Sequence, residues 1–415
     1  MNVLVDNAIT GWWIDPPAMG VEGTTYFGAA GSDGSVLMNS FNRDSAQSFV
    51  IAKSGVDDHN GPAVWAESGV PLVCAWSFHN ADQLARVRIG GLPGAGDALS
   101  FGRESTVQLG GTVSYAKLFR VVDYTDSNAW KFRLLVRVRY VNDGTNVYSW
   151  SACTFLVDKE SKTVEWQGKE QTLVASTNNR VPYLSAALDD EGRRTVRLAI
   201  GYHPVTPGDQ APIRFATYDV TDNAVYNSSG EFMWSLDGDP LANRTDRELG
   251  YVVRPAELGS RRRRFLGVAA GPSAPAVLYA EWDQDDEDNA TYFVASASPG
   301  EELWSSFSLG PAGTRIGHSE TANYLSGAAF QAYPRTSSDV TLVRNTGSES
   351  VVERCHPAAM GWVREETASL PYVLARPISS VEDGADGLIA SRIERYGSEA
   401  GGFTDFDGQV ILVNE

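Results

Sequence analysis

The chain has 415 residues, with 52 acidic against 34 basic side chains and a formal net charge of -18. So large an acidic excess disfavours nucleic acid and anionic membranes as partners, because the long-range field repels both. The length allows two or three ordinary domains or one large all-β domain. Because no Pro/Ser-rich linker divides the sequence, we expect a single domain over residues 1–415.

The N-terminal residues MNVLVDNAITGWW have neither the basic start nor the apolar centre of a signal peptide. No run approaches the roughly 20 apolar residues that cross a bilayer. We therefore expect a soluble chain without its own export signal, which acts outside the cell by another route or as part of a virion tail. The cysteines, Cys74, Cys153 and Cys355, lie in or beside apolar strand-like runs, and their odd number predicts buried thiols rather than a disulfide framework.

Short strands account for the apolar pattern along the chain. Representative runs are β-branched or aromatic and are bounded by Gly, Asp, Asn or Pro; they lie at residues 132–140, 195–200, 276–282 and 340–344. No segment has a sustained helical stripe. Short strands together with 40 glycines and 11 tryptophans are typical of a sandwich, a β-helix or a propeller.

The spacing of the strands distinguishes among these architectures. Groups of apolar strands recur about seven times, at residues 26–38, 63–89, 115–157, 183–218, 265–297, 328–352 and 371–396. Propellers have about 4 to 8 blades, each a small sheet stacked on its neighbours. We therefore predict an all-β fold, a single seven-bladed β-propeller.

Two of the five histidines lie in matching polar turns on either side of one strand pair. The first turn reads Asp57-Asp-His-Asn-Gly-Pro-Ala63, and the second reads Phe78-His-Asn80. An ordinary packed core has no use for two imidazoles in such turns. The pattern therefore indicates a functional site at His59 and His79.

Several motifs resemble, in their order, those of the BNR-4-type seven-bladed propeller superfamily, which includes ulvan lyases, rhamnose-glucuronate lyases and propeller α-L-rhamnosidases. The resemblance runs nearly end to end and rests on the two histidine turns and on Trp13-Ile-Asp-Pro-Pro-Ala-Met19, Pro182-Tyr-Leu184, Tyr202-His-Pro204, Tyr324-Leu-Ser-Gly-Ala328 and Ala375-Arg-Pro377. It implies a propeller that acts on or binds a polysaccharide. The motifs are more specific for the fold than for the reaction.

In the lyase members of this superfamily, two such histidines lie on one face of the propeller, and here they correspond to His59 and His79. The resemblance also implies a tyrosine and an arginine. The tyrosine is matched best by Tyr115, with Tyr124 as a fallback, and the arginine is Arg137 or Arg139. We expect substrate contacts from Arg139, Asn60, Asn80, His203 and Tyr183.

Such a set suits β-elimination on a uronate. The hydrogen at C5 is weakly acidic, so the adjacent carboxylate must be neutralised, which a guanidinium such as that of Arg137 does through paired charge-assisted hydrogen bonds. A neutral imidazole, with an ordinary pKa of about 6.5, can accept the proton, and a second group must protonate the leaving oxygen. His59 or His79 would be the base, and Tyr115 the acid or both.

Two other functions stay open. A propeller glycosidase, such as an α-L-rhamnosidase, would need two carboxylates flanking the scissile bond, and Asp15, Asp57 and Asp58 are candidates. The Asp-Asp pair more simply orients His59 or accepts backbone hydrogen bonds in its turn. The other alternative is a non-catalytic glycan-binding or phage tail module, because Pro17 stands where relatives commonly have an arginine.

The expected partner is a polysaccharide, as substrate or receptor, with no nucleic acid and no membrane; a virion protein could also form an oligomer. No cofactor is required, and no metal ligand is assigned. Structural calcium or zinc stays open. The acidic run Asp283-Gln-Asp-Asp-Glu-Asp288 offers hard oxygens but lacks the EF-hand glycine and terminal glutamate, and the histidines and cysteines form no tight zinc cluster.

Overall fold

The structure is a computed structural model of the chain. It describes residues 2–10, 18–94, 98–142, 144–176, 181–188, 194–203, 212–227, 229–237, 251–254, 261–269, 275–283, 286–297, 304–313, 328–330, 339–358, 361–378, 387–396 and 404–413. Strands make up the regular structure of these segments, in seven antiparallel sheets. The predicted all-β fold with seven propeller blades is therefore confirmed.

The first three blades occupy the N-terminal part of the chain. Strand β1 (Asn2–Val5) precedes blade 1, which contains β2 (Ala8–Thr10), β3 (Ala18–Val21), β4 (Thr24–Gly31), β5 (Ser35–Phe41) and β6 (Ala46–Lys53). Blade 2 contains β7 (Ala63–Glu67), β8 (Val70–Trp76), β9 (Leu84–Ile89) and β10 (Ser105–Gln108). Blade 3 contains β11 (Thr112–Val121), β12 (Ala129–Asn142), β13 (Thr145–Asp158) and β14 (Val164–Ser176).

Four further blades complete the ring. Blade 4 contains β15 (Val181–Leu188), β16 (Thr195–His203), β17 (Ile213–Asp219), β18 (Ala224–Tyr226), β19 (Phe232–Ser235) and β20 (Tyr251–Arg254). Blade 5 contains β21 (Arg261–Val268), β22 (Ala276–Asp283), β23 (Asp286–Ala297) and β24 (Trp304–Pro311). Blade 6 contains β25 (Ala328–Phe330), β26 (Val340–Asn345), β27 (Ser350–Ala358) and β28 (Gly361–Leu370), and blade 7 contains β29 (Leu374–Ile378), β30 (Leu388–Tyr396) and β31 (Phe406–Val413).

The two ends of the chain close the ring. Strand β1 pairs antiparallel with β31, with Val3 opposite Ile411, so the N-terminal strand becomes the fourth strand of blade 7. Closure leaves few unpaired strand edges, which is how a propeller protects its sheets. It also brings blade 7 next to blade 1, where β2 contacts β30 and β31.

The core lies where the faces of neighbouring blades pack together. The largest apolar cluster joins blades 2, 3 and 4, and its fully buried side chains include Trp65, Trp150 and Tyr218. All three cysteines are free and buried, as the sequence predicts. Within the segments that the structure describes, no helix is long and apolar enough to cross a membrane.

Turns at one end of blades 2 and 3 bring the predicted site residues together. Residues 54–62 connect β6 of blade 1 to β7, and residues 77–83 connect β8 to β9. The backbone N–H of Asn80 donates to the carbonyl of Val113 at 3.0 Å, which attaches the second turn to β11 of the next blade. The connection into blade 2, a turn within blade 2 and the start of β11 in blade 3 therefore meet at this end of the fold.

Candidate functional site

The site is built around two stacked imidazoles that share one carboxylate. His59 Nδ1 lies 2.8 Å from Asp57 Oδ1, and His79 Nδ1 lies 3.0 Å from Asp57 Oδ2. The two rings are nearly parallel, with an angle of 14° between their planes and 4.1 Å between their centroids. The orienting role predicted for the Asp-Asp pair is confirmed for Asp57, because each of its oxygens faces one ring.

Local hydrogen bonds explain why the sequence forms these turns. Asp57 Oδ1 accepts the backbone N–H of His59 at 2.9 Å, an Asx turn that places the imidazole beside the same carboxylate. Asn60 is buried, and its Oδ1 accepts the backbone N–H of His79 at 2.8 Å while its Nδ2 donates to Ser54 Oγ at 3.0 Å. The amide of Asn60 therefore holds the two turns together.

Asn80 determines which nitrogen of His79 carries a proton. Its backbone has φ of 52°, a left-handed conformation that asparagine tolerates in turns. Its Oδ1 accepts a hydrogen bond from Ser114 Oγ at 2.9 Å, which leaves Nδ2 to donate to His79 Nε2 at 2.8 Å. With Nδ1 donating to Asp57, the neutral ring of His79 has its lone pair on Nε2.

Tyr115 enters the site through a β-bulge. The register of β11 against β12 shifts between Ser114 and Lys117, and Tyr115 has φ of 55°. A bulge of this kind redirects a side chain out of the regular alternation. The ring of Tyr115 lies 5.8 Å from those of His59 and His79 and stacks on the buried Trp150, with 6.3 Å between centroids. Its hydroxyl is buried and has no hydrogen-bond partner among the described residues.

Arg137 lies behind the tyrosine on β12, opposite Ser114 in the strand pairing. Its guanidinium carbon is 4.5 Å from the ring centroid of Tyr115, 5.6 Å from that of Tyr148 and 5.4 Å from that of Tyr183. Its Nη2 lies 3.5 Å from His79 Nε2. Nε and Nη1 are buried without a hydrogen-bond partner in the described part of the chain.

The other predicted residues divide into those inside and outside this cluster. Tyr183 packs on Tyr115 with 6.0 Å between ring centroids. Arg139 lies one pleat further along β12, and its Nε donates to Asn146 at 3.0 Å. Tyr124, the fallback, follows the far end of β11, and its hydroxyl lies 3.5 Å from Asp126. His203 ends β16 opposite Val181, and its side chain lies outside the described residues, as do Asp15 and Pro17.

A second buried group next to His59 includes residues to which the sequence assigned no role. Asp58 is fully buried, and its Oδ1 lies 2.7 Å from His59 Nδ1. Its Oδ2 accepts hydrogen bonds from Arg376 Nη2 at 2.6 Å and from the hydroxyl of Tyr396. Arg376 lies in the motif Ala375-Arg-Pro377. Its contact with Asp58 depends on closure of the ring of blades, so no pattern among neighbouring residues predicts it.

The two imidazoles hold different charges. Burial would lower the pKa of His59, but the carboxylates of Asp58 and Asp57 overcome this effect and raise its pKa. Burial and the positive charge of His59 lower the pKa of His79 to about 4, and Arg137 contributes in the same direction. The hydrogen bond to Asp57 opposes this shift without overcoming it. These opposite shifts favour the positive charge on His59 and leave His79 as the neutral base at neutral pH.

Tyr115, Asp57 and Asp58 also have pKa values shifted from their ordinary ranges. Burial raises the pKa of Tyr115 well above its usual value, and Tyr183 adds to this although Arg137 opposes it, so the phenol stays protonated at neutral pH. Burial would raise the pKa of Asp57, but its hydrogen bonds to the two imidazoles prevail and hold the pKa far below the usual range. Asp58 is kept ionised against burial by His59 and Arg376.

Asp57, His59 and His79 could also hold a metal ion, since their donor atoms all lie within 4.8 Å of one another. Both Nδ1 atoms, however, face separate oxygens of Asp57 at hydrogen-bond lengths. Two N–H···O bonds account for this geometry. We therefore derive no chemical step through a metal.

These observations define a seven-bladed β-propeller with an imidazole, phenol and guanidinium cluster on blades 2 and 3. No protein-family model and no curated protein matches the chain. Among solved structures, the chain is similar to a polysaccharide lyase of family PL25, an ulvan lyase bound to -[GlcA(1-4)Rha3S]-, with a TM-score of 0.65 and 11% identity over 100% of this chain and 95% of that chain. It is also similar to the polysaccharide lyase Uly1, with a TM-score of 0.57 and 11% identity over 97% of this chain and 90% of that chain. At these identities the likeness establishes the fold.

Proposed function

We propose that the protein is a polysaccharide lyase that cleaves a uronate-containing glycan by β-elimination. The observation that carries the proposal is the state of Arg137, which is 2% exposed while Nε and Nη1 have no hydrogen-bond partner among the described residues. A buried ionised donor without a partner is costly. The planar guanidinium matches a carboxylate in charge and shape, so a uronate carboxylate would supply the missing bonds once the tyrosine rings that cover Arg137 move aside.

The position of His79 suits it for the role of general base. Its Nε2 carries the lone pair of the neutral ring and lies 3.5 Å from Arg137 Nη2. In a uronate the carboxylate is attached to C5, so binding that carboxylate to Arg137 would bring the C5 hydrogen close to His79. The substrate would have to replace the hydrogen bond that Asn80 donates to the same nitrogen.

The role of general acid falls to Tyr115. Its phenol is protonated at neutral pH, its hydroxyl has no hydrogen-bond partner within the described segments, and its ring lies 5.8 Å from that of His79. In the proposed reaction the C5–H bond breaks and its proton moves to His79. The electron pair forms the C4–C5 double bond as the C4–O bond breaks, and Tyr115 gives its proton to the leaving oxygen.

The comparisons support this choice of substrate class. A PL25 ulvan lyase with the same fold binds a glycan that contains GlcA, a uronate. We also propose that the chain is a member of the BNR-4-type superfamily, on the ordered series of motifs that ends at Ala375-Arg-Pro377. The sequence motifs and the geometry of the site are separate observations, and both favour β-elimination.

The rival functions have less support. A glycosidase needs one carboxyl group on each side of the scissile bond, several ångströms apart. Asp57 is committed to two imidazoles, and Asp58 is fully buried against His59, Arg376 and Tyr396. A non-catalytic binding module would have no need for a charged and a neutral imidazole stacked on each other.

Absorbance distinguishes the three functions. Elimination creates an unsaturated uronate that absorbs in the ultraviolet, hydrolysis creates a reducing end without that chromophore, and binding creates neither. We expect a screen of uronate-containing glycans to give rising absorbance with the wild type and none above background with His79→Ala. Turnover of a good substrate without new absorbance would refute the lyase proposal.

The proposed reaction uses no metal, because Arg137 neutralises the substrate carboxylate. Prolonged incubation with a chelator, followed by the absorbance assay, should therefore leave the rate unchanged. Loss of activity that added zinc or calcium restores would assign the grouping of Asp57, His59 and His79 to an ion instead.

A further inference from the structure

We propose that Asp58, held by Arg376 and Tyr396 of the last blade, is a positioning residue that decides which of the two stacked imidazoles carries the proton. The inference deepens the proposed lyase function and rests on it. His59 and His79 have chemically identical side chains. A difference in their surroundings must therefore decide which ring is positively charged and which is neutral.

Asp57 cannot provide the asymmetry. It gives one oxygen to each ring, at 2.8 Å to His59 and 3.0 Å to His79, so it stabilises a proton on either ring to a similar extent. Two imidazolium rings with centroids 4.1 Å apart repel each other strongly, so the pair favours one positive charge rather than two. Another group must decide which ring takes it.

Asp58 is that group, because it contacts only one of the rings. Its Oδ1 lies 2.7 Å from His59 Nδ1, and no contact with His79 is present among the described residues. Its carboxylate is fully buried, where an opposite charge at this distance acts with little screening. The asymmetry therefore favours the proton on His59.

The last blade holds the Asp58 carboxylate in place. Arg376 Nη2 donates to Asp58 Oδ2 at 2.6 Å, and Arg376 Nη1 donates to the carbonyl of Thr10 at 3.1 Å. Arg376 reaches inward because β29 has a register shift between Ala375 and Ile378, and φ at Arg376 is 55°. The arrangement resembles that of Tyr115 on β11, where a bulge and a left-handed residue also aim one side chain at the site.

The groups that face His79 act in the same direction. Arg137 Nη2 lies 3.5 Å from its Nε2, and Asn80 donates a hydrogen bond to that nitrogen. A cation and a donor both disfavour protonation there. Tyr115 lies at equal distance from both rings and is uncharged at neutral pH, so it does not distinguish them. His79 is therefore left neutral, as the proposed base must be.

Imidazole NMR tests the inference without any substrate. We would titrate the wild type with labelled histidine, assign the two rings with His59→Gln and His79→Gln, and expect His59 to titrate at a higher pH than His79. In Asp58→Asn the midpoint of His59 should fall by about 1–3 pH units, and that of His79 should rise as its neighbour loses charge. Asp44→Asn, which removes an exposed carboxylate from the loop after β5, is the matched control and should leave both midpoints unchanged.

A higher midpoint for His79 than for His59 in the wild type would overturn the inference, and so would a folded Asp58→Asn protein whose midpoints match those of Asp44→Asn. If Asp58→Asn does not fold, the order of the two midpoints in the wild type decides. Because this readout needs no glycan, its failure is distinct from a failure of the lyase proposal. A wild type with the expected order of midpoints and no activity on any uronate would refute only the reaction.

Discussion

The imidazole planes of His59 and His79 lie 14° from parallel, and the carboxylate of Asp57 spans their two Nδ1 atoms. This arrangement favours one cationic and one neutral ring, because two adjacent positive charges would repel each other. The neutral ring carries its lone pair toward Arg137.

The pH dependence of kcat/KM should have two limbs. His79 must be neutral to act as the base, and its pKa is lowered to about 4, so activity should fall as the pH drops through about 4. The pKa of His59 is raised, so any contribution of its positive charge should be lost at a pH above its ordinary value of 6.5. His59→Gln should remove the alkaline limb and move the acidic one to higher pH, because the positive charge of His59 lowers the pKa of His79. An unchanged profile in that variant would assign the alkaline limb to another group.

Stability should fall in acid for a related reason. The folded pKa of His79 is lower than its unfolded value, so the unfolded state binds more protons as the pH falls from 6.5 through about 4. The lowered pKa values of Asp57 and Asp58 add a contribution that is present above 3.8 and lost below it. The raised pKa of His59 contributes with the opposite sign, but its contribution is complete below pH 6.5, so urea unfolding between pH 6.5 and 4 should show a decreasing free energy of unfolding. His79→Gln, which removes one titrating group, should show a shallower decrease over the upper part of this range.

Replacement of Arg137 by methionine should abolish elimination by removing the group that neutralises the substrate carboxylate. Loss of one preorganised charge-stabilising donor costs about 10²–10³ in kcat, and we expect at least this effect for a full charge. Arg194→Met on blade 4, which breaks ion pairs with Asp219 and Asp222, is the control for loss of an arginine and should keep the wild-type rate. Equal rates in the two variants would remove Arg137 from the mechanism.

Tyr115→Phe should separate activity from stability. The lost hydroxyl has no hydrogen-bond partner among the described residues, so its removal should not lower the free energy of unfolding, whereas loss of a general acid costs about 10²–10⁴ in rate. Tyr218→Phe should have the opposite effects, since that buried hydroxyl lies outside the site and donates to Asn223 at 2.6 Å. It should cost about 0.5–1.5 kcal/mol of stability and leave the rate unchanged. A Tyr115→Phe enzyme with full activity would exclude the phenol as the acid.

Blade 1 lies so close to the turn that carries His59 that a small steric change in β4 tests whether the position of this turn matters for activity. A Cβ added at Gly28 on β4 would lie 2.3 Å from the carbonyl oxygen of Pro62, so Gly28→Ala must displace the turn that carries His59. Misplacement of a reacting group by about 1 Å can cost about 10² in rate. Gly55→Ala is the matched control, because a Cβ there meets open space. Thermal unfolding of both variants would show whether a loss of rate reflects the turn or the whole fold.

Some of the site could be predicted from the sequence because its signals are local. The turn Asp57-Asp-His-Asn60 and the second histidine 20 positions later identify His59 and His79 without any contact information. The choice between Arg137 and Arg139 could not be made in this way, since residues two apart on a strand share a face. The structure separates them, with Arg137 beside His79 and Arg139 bonded to Asn146.

The sequence by itself determined the strand periodicity, the seven strand groups and the two polar turns, because each is a pattern within a few neighbouring residues. Only the tertiary structure decided which side chains meet. Tyr115 reaches the imidazoles through a bulge, and Arg376 contacts Asp58 across 318 positions of sequence because β1 closes the ring against β31. Bulges and ring closure depend on the packing of whole blades. Contacts between residues far apart in the sequence cannot be recognised from patterns among neighbouring residues.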